Sequence, residues 1–252
     1  MKNNLFALLL LAVSAFAFTS CEKDDDEDPK PHTHYGTLAN FGLGKAQTYV
    51  TMDANDLPVE MGVNLNKAAY ESIESQADFS ASLNVPVDVQ NLMGFKHVYF
   101  NWNQHGHEPM PVYTIPHFDV HFYYQSQAER EAIMPWDTIK GNSLPAGTHL
   151  PPTYVPGGLV PQMGNHWIDV FSGELNGETF TETFLYGTYD GKVSFIEPMI
   201  TKAYIDEKSG TFEKEIKQPT VYELTGKYYP TKFGVKKEGE DYRFYLSGFV
   251  KR

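Results

Sequence analysis

Nine residues, PHFDVHFYY at 116–124, constrain the fold of this chain more than any other stretch. They alternate, and in a β-strand residues i and i+2 share a face. Phe118, Val120 and Phe122 fall on one side; His117, Asp119 and His121 fall on the other. The first face is wholly apolar and demands a core. The second carries residue types that bind zinc, iron or manganese through nitrogen and oxygen. A solvated strand face would more often use Lys, Thr, Ser or Glu.

The rest of the body fits such a strand. Aromatics make up 14% of the chain, and apolar runs are short and punctuated by glycine and proline. The expected class is mainly β, an antiparallel sandwich or barrel with a few short helices. Strands are predicted at 47–52, 95–103, 166–171, 183–189 and 192–196. The last two flank Asp190-Gly191, a strong hairpin signal. A second hairpin is expected over 228–250, turning near Glu238-Gly239. Helices are expected at 66–75, capped by Asn66, and at 127–133. The proline- and glycine-rich stretch 140–164 reads as a long loop.

The N-terminus gives the chain an address. Residues 1–20 combine Lys2, an apolar run of about fourteen residues and small residues, the pattern of a secretory signal. That run is short for a membrane span, which needs roughly 20. FTSC at 18–21 resembles a lipobox, which implies Cys21 as the lipidated residue of a bacterial lipoprotein. Residues 21–34 form the expected tether: six acids and one lysine in 22–28, then two prolines, cannot bury surface. His32 and His34 are placed in or just after it. The acidic run resembles the signal that sends lipoproteins to the outer face of the outer membrane; the periplasmic face is the runner-up. One β-rich domain is expected over 35–252. Cys21 is the only cysteine, so no disulfide or thiolate chemistry is available. Without Lys2, 19 basic residues face 32 acidic ones, and no basic stripe suggests nucleic acid.

Four of the nine histidines lie within 105–121. His117 and His121 sit roughly 13 Å apart along a straight strand, so they share one ion only if they lean together or the strand bends at Pro116. A second element must contribute. His166, which opens a strand after the long stretch, is the natural donor, with Glu197 another. The expected shell brings His121 and His166 together, joined by His107 or His117, with Glu108 or Asp119 as ligand or partner. His97 and His149 read as structural. H-E-x-x-H chemistry is excluded, because Pro109 and Pro111 forbid a helix after His107-Glu108.

GHEP at 106–109, PHFDVHFY at 116–123, MGNHW at 163–167 and EPM at 197–199 resemble a family of exported bacterial β-rich proteins of unknown function. The resemblance implies that His107, Glu108, His117, Asp119, His121, His166 and Glu197 form one motif set, and it implies no activity. His105–His107 and 161–166 are also similar to the two cupin motifs, without their glutamate spacing, which is an analogy of architecture only. The expected function is a divalent metal site (zinc, iron or manganese), with Glu108 and Asp119 as catalytic candidates if the protein is an enzyme. The rival is a surface module for a glycan, small molecule or protein partner, with the histidines in a structural polar network. A homo-oligomer is compatible with either.

Overall fold

The computed structural model describes residues 29–252. The expected signal segment, Cys21 and the acidic run 22–28 lie outside the described residues. Strands β1 (His32–Tyr35), β2 (Ala39–Phe41), β3 (Gly44–Met52) and β4 (Pro58–Leu65) come first, then helix α1 (Lys67–Ser72). Next are β5 (Phe79–Asn84), α2 (Val87–Met93), β6 (His97–Asn103) and β7 (His117–Tyr123). Short helices α3 (Gln127–Glu131) and α4 (Thr138–Gly141) lead to β8 (Tyr154–Val160), β9 (Gly164–Asp169), β10 (Glu182–Tyr189) and β11 (Lys192–Thr201). Helix α5 (Lys202–Glu207) precedes β12 (Phe212–Glu215), β13 (Tyr228–Tyr229), β14 (Lys232–Glu238), β15 (Asp241–Ser247) and β16 (Val250–Lys251).

Two seven-stranded sheets face each other as a sandwich, and neither closes into a barrel. The first runs β1-β3-β4-β15-β14-β12, with β2 also on β3; the second runs β5-β6-β7-β11-β10-β9-β8. The pairings in both are antiparallel. The alternation on β7 decides how the layers meet. Phe118, Val120 and Phe122 enter the main core. The Phe118 ring lies 4.8 Å from Phe244 on β15 in the opposite sheet, and 4.9 Å from Trp102 on β6. The polar face of β7 is also buried, and all seven of its residues are covered.

Local signals explain several elements. The Asn66 side chain accepts the Ala69 N–H and caps α1. Asp190 and Gly191 both take positive φ, 53° and 75°, and turn β10 tightly into β11. Three expectations change. His32 and His34 belong to β1, paired with β3, so ordered structure begins inside the expected tether. The expected 140–164 loop holds the end of α4 and all of β8. Strand β8 lies at the sheet edge, where Pro156 needs no second partner and a register shift between Pro156 and Gly158 absorbs the irregularity. The closing hairpin is split, because β13 and β16 leave the main sheet to pair with each other.

Candidate metal centre

The polar face of β7 forms the floor of a cleft of about 620 Å³. Asn101 and Asn103 of β6 line it, and so do Leu159 and Val160 of β8. Five strand spacings separate β6 from β8, roughly 24 Å in a flat sheet at about 4.8 Å each. One cleft touching both therefore requires the sheet to curl, with its outer face concave. The 107–113 segment forms part of the wall. His107 N–H donates to the Tyr113 carbonyl at 2.9 Å and folds the segment back over β7. Gly106 permits this at φ 64°, where an added Cβ would meet the Tyr113 carbonyl oxygen at 2.1 Å.

Two three-residue donor sets stand on this floor: His107, His117 and Asp119, and His121, His166 and Glu197. In the first, His117 Nδ1 is 2.5 Å from the Ile115 carbonyl, and His107 Nδ1 is 2.6 Å from the Glu108 carbonyl. A carbonyl only accepts, so each Nδ1 carries the proton and each neutral ring turns its Nε2 lone pair inward. The two Nε2 atoms are 3.1 Å apart. His107 Nε2 lies 3.2 Å from Asp119 Oδ2, and His117 Nε2 lies 3.1 Å from Asp119 Oδ1. With neutral rings, three lone-pair donors would converge with no proton between them. A tetrahedral ion with bonds of about 2.0–2.1 Å places neighbouring ligand atoms about 3.3 Å apart. The separation of the two Nε2 atoms and the distance from each to its own facing oxygen of Asp119 have about that size.

The electrostatics couple His107 to Asp119. Burial pulls the pKa of His107 down, but the hydrogen bond to Asp119 and its charge more than offset this and leave it raised. Burial opposes ionisation of Asp119 as well, yet the adjacent His117 and His107 hold its carboxyl well below the usual range. Both shifts favour the ion-paired form of His107 and Asp119. Asn103 Nδ2 donates to Asp119 Oδ2 at 2.7 Å and orients the carboxylate.

The second set is built entirely on strands. By the β7–β11 register, Glu197 falls opposite His121, and His166 of β9 pairs with Gly187 on β10. Gly187 has a steric reason: an added Cβ would strike the Phe195 ring at 1.9 Å. That ring lies 5.1 Å from His121 and 5.0 Å from His166, against both imidazoles. His121 Nε2 is 3.1 Å from Glu197 Oε1, and His166 Nε2 is 3.6 Å from Glu197 Oε2. His121 Nδ1 is 3.3 Å from the Tyr99 carbonyl, so its Nε2 is again the inward lone pair. Burial lowers His121 to about 4, and burial plus the His121 charge lowers His166 to about 3. Burial and the Asp119 charge push Glu197 well above the usual carboxylate range. His166 Nδ1 and Glu197 Oε2 are buried without a hydrogen-bond partner.

The expected residues are therefore gathered, but into two sets rather than one shell. His121 and His166 do approach, with ring centroids 5.9 Å apart. His107 and His117 instead meet each other over Asp119. Glu108 belongs to neither set; it is exposed on the cleft wall. His105 is exposed beside Asp78, 3.6 Å away. The Asn103 contact was not anticipated, although Tyr99, Asn101 and Asn103 alternate on one face of the strand just as His117, Asp119 and His121 do.

His97 stands apart from both sets. Its Nδ1 is 2.9 Å from the Gln125 carbonyl, and its ring stacks on Tyr123 at 4.7 Å. Burial lowers it to about 4, so it is neutral when folded, whereas the unfolded chain protonates near 6.5. Its contribution is complete above about pH 6.5 and is lost as pH falls toward 4. The stability advantage of the wild type over His97→Gln, measured by thermal unfolding with chelator present, is expected to shrink across that window. An advantage that stays constant or grows on acidification would contradict the assignment.

Comparison with protein-family models, curated proteins and solved structures finds no match.

Proposed function

We propose that this chain is an exported metalloprotein that binds a divalent ion, zinc, iron or manganese, through His107, His117 and Asp119. The observation that carries the reading is the convergence of two imidazole lone pairs and one carboxylate at 3.1–3.2 Å, with both Nδ1–H groups committed to backbone carbonyls. Three protein ligands leave a fourth position, the arrangement of catalytic rather than closed structural zinc sites. An ion held there would polarise a substrate oxygen or activate water. Among the described residues, Glu108 is the only carboxylate lining the cleft outside the two donor sets, and its exposure lets it exchange protons with solvent.

The cleft is of a size that takes a small organic molecule or a sugar. Among the described residues no lysine or arginine lines it, while Tyr113, Leu159, Met163 and the exposed Trp136 do. That lining suits a neutral ligand better than a phosphate. The signal segment, Cys21 and the acidic run support delivery as a lipoprotein to the outer membrane, facing outward.

Metal content and stability test the reading together. Protein purified without a histidine tag is expected to carry a transition metal, and chelation is expected to lower its melting temperature. A free ion at 100 times its Kd stabilises by about 2.7 kcal/mol. Because a proton on His107 competes with the ion, affinity should fall with decreasing pH. No bound metal and an unchanged melting temperature would contradict the proposal.

A further inference from the structure

We infer that the cleft holds two divalent transition-metal ions, the second bound by His121, His166 and Glu197. The inference builds on the metal reading of the first set but rests on separate atoms. Three observations carry it. His121 Nε2 and Glu197 Oε1 approach to 3.1 Å, and His166 Nε2 stands 3.6 Å from Glu197 Oε2, so both carboxylate oxygens face imidazole nitrogens. The donor atoms of the set lie within 4.8 Å of one another. Glu197 is only 2% exposed, yet among the described residues its Oε2 has no hydrogen-bond partner and no lysine or arginine is ion-paired with it. A buried carboxylate oxygen left in this way is costly unless a cation or proton meets it.

Among the described residues the donor atoms fall into two groups, each within 4.8 Å, and no residue belongs to both. Each group supplies three ligands of its own, so each is read as holding its own ion. The sets also differ in construction. His107 comes from the folded-back 104–116 connection and is partly exposed. The second set uses only β7, β9 and β11, all hydrogen-bonded within one sheet. The second ion is therefore held by rigid backbone and does not depend on the 104–116 connection. Both sets line the same cleft through His107, Asp119, His121, His166 and Glu197, so a bound molecule can contact both ions.

The test is a cobalt(II) titration of the chelator-stripped full chain, followed by visible absorption and equilibrium dialysis. The wild type is expected to bind two equivalents. Glu197→Gln should bind one, and His117→Gln should bind one with a different spectrum. His166→Gln provides a second variant at a partly exposed position, should Glu197→Gln fail to fold by circular dichroism; it too should lose one equivalent. One equivalent in the wild type, lost in His117→Gln but retained in Glu197→Gln and His166→Gln, would overturn the inference and leave the first site standing. One equivalent lost only in Glu197→Gln and His166→Gln would overturn the two-ion inference and the first site together. No binding at all would overturn both.

Discussion

Asp119→Asn is expected to weaken metal binding at the first site by more than about 100-fold while leaving the protein folded. Changing a group that merely orients a ligand costs about 10–100-fold, and Asp119 is itself the only charged donor of its set. It is 4% exposed and faces His107 and His117 at 3.2 and 3.1 Å. Asparagine keeps the shape and an acceptor oxygen but removes the charge that balances the ion. Asn103→Ala supplies the graded comparison: it removes the 2.7 Å hydrogen bond that aims the carboxylate, and its loss should fall within that 10–100-fold range. Isothermal titration with zinc reads both. Equal affinities for wild type and Asp119→Asn would remove Asp119 from the site.

The second large effect concerns the other face of the same strand. Phe118→Ala should destabilise the protein by about 3–5 kcal/mol, the usual cost of emptying a fully buried phenylalanine position. Phe118 is completely buried, and its ring meets Phe100, Trp102 and, across the sandwich, Phe244. The substitution opens a cavity between the sheets, not in the cleft. Metal affinity of the folded fraction should change little. Urea unfolding measures the loss, and a value under about 1 kcal/mol would show that the apolar face of β7 does not join the layers.

These two residues also show what was legible before the structure. Period-two alternation assigned Phe118 to a core and Asp119 to a polar site, because strand geometry leaves no third choice. The Asn66 cap and the Asp190-Gly191 turn were equally local and equally readable. What escaped depends on contacts distant in sequence or on context. Strand β8 is hidden by its own Pro156, Gly157 and Gly158, which only an edge position tolerates. Strand β4 begins at Pro58 and has Gly62 at its centre, where an added Cβ would meet the Phe244 carbonyl oxygen at 2.0 Å. That glycine marks close packing against β15, a contact that only the fold reveals. β1 reads as solvated linker, because only pairing with β3 makes HTHY a strand.

The division into two sets was beyond the sequence for a similar reason. Spacing along β7 allowed one ion shared by His117 and His121 only with leaning side chains or a bent strand, and it did not say which histidine would find which partner. That depends on the 104–116 connection folding back at Gly106, which delivers His107 to His117, and on the β9–β10–β11 register, which delivers His166 to Glu197. Glu108 shows the converse. Its neighbour His107 points inward, but its own side chain stays exposed, because His107 Nδ1 bonds the Glu108 backbone carbonyl and not its carboxylate.

The central claim is that His107, His117 and Asp119 surround an ion. Anomalous diffraction from crystals grown with zinc, recorded on both sides of the zinc absorption edge, tests it most directly. The expected result is a peak about 2.0–2.1 Å from both Nε2 atoms and within about 2.2 Å of an Asp119 carboxylate oxygen. Absence of a peak there at saturating zinc, with the imidazoles and carboxylate still 3.1–3.2 Å apart, would contradict it. The triad would then be a proton-sharing network, with His107 donating to Asp119.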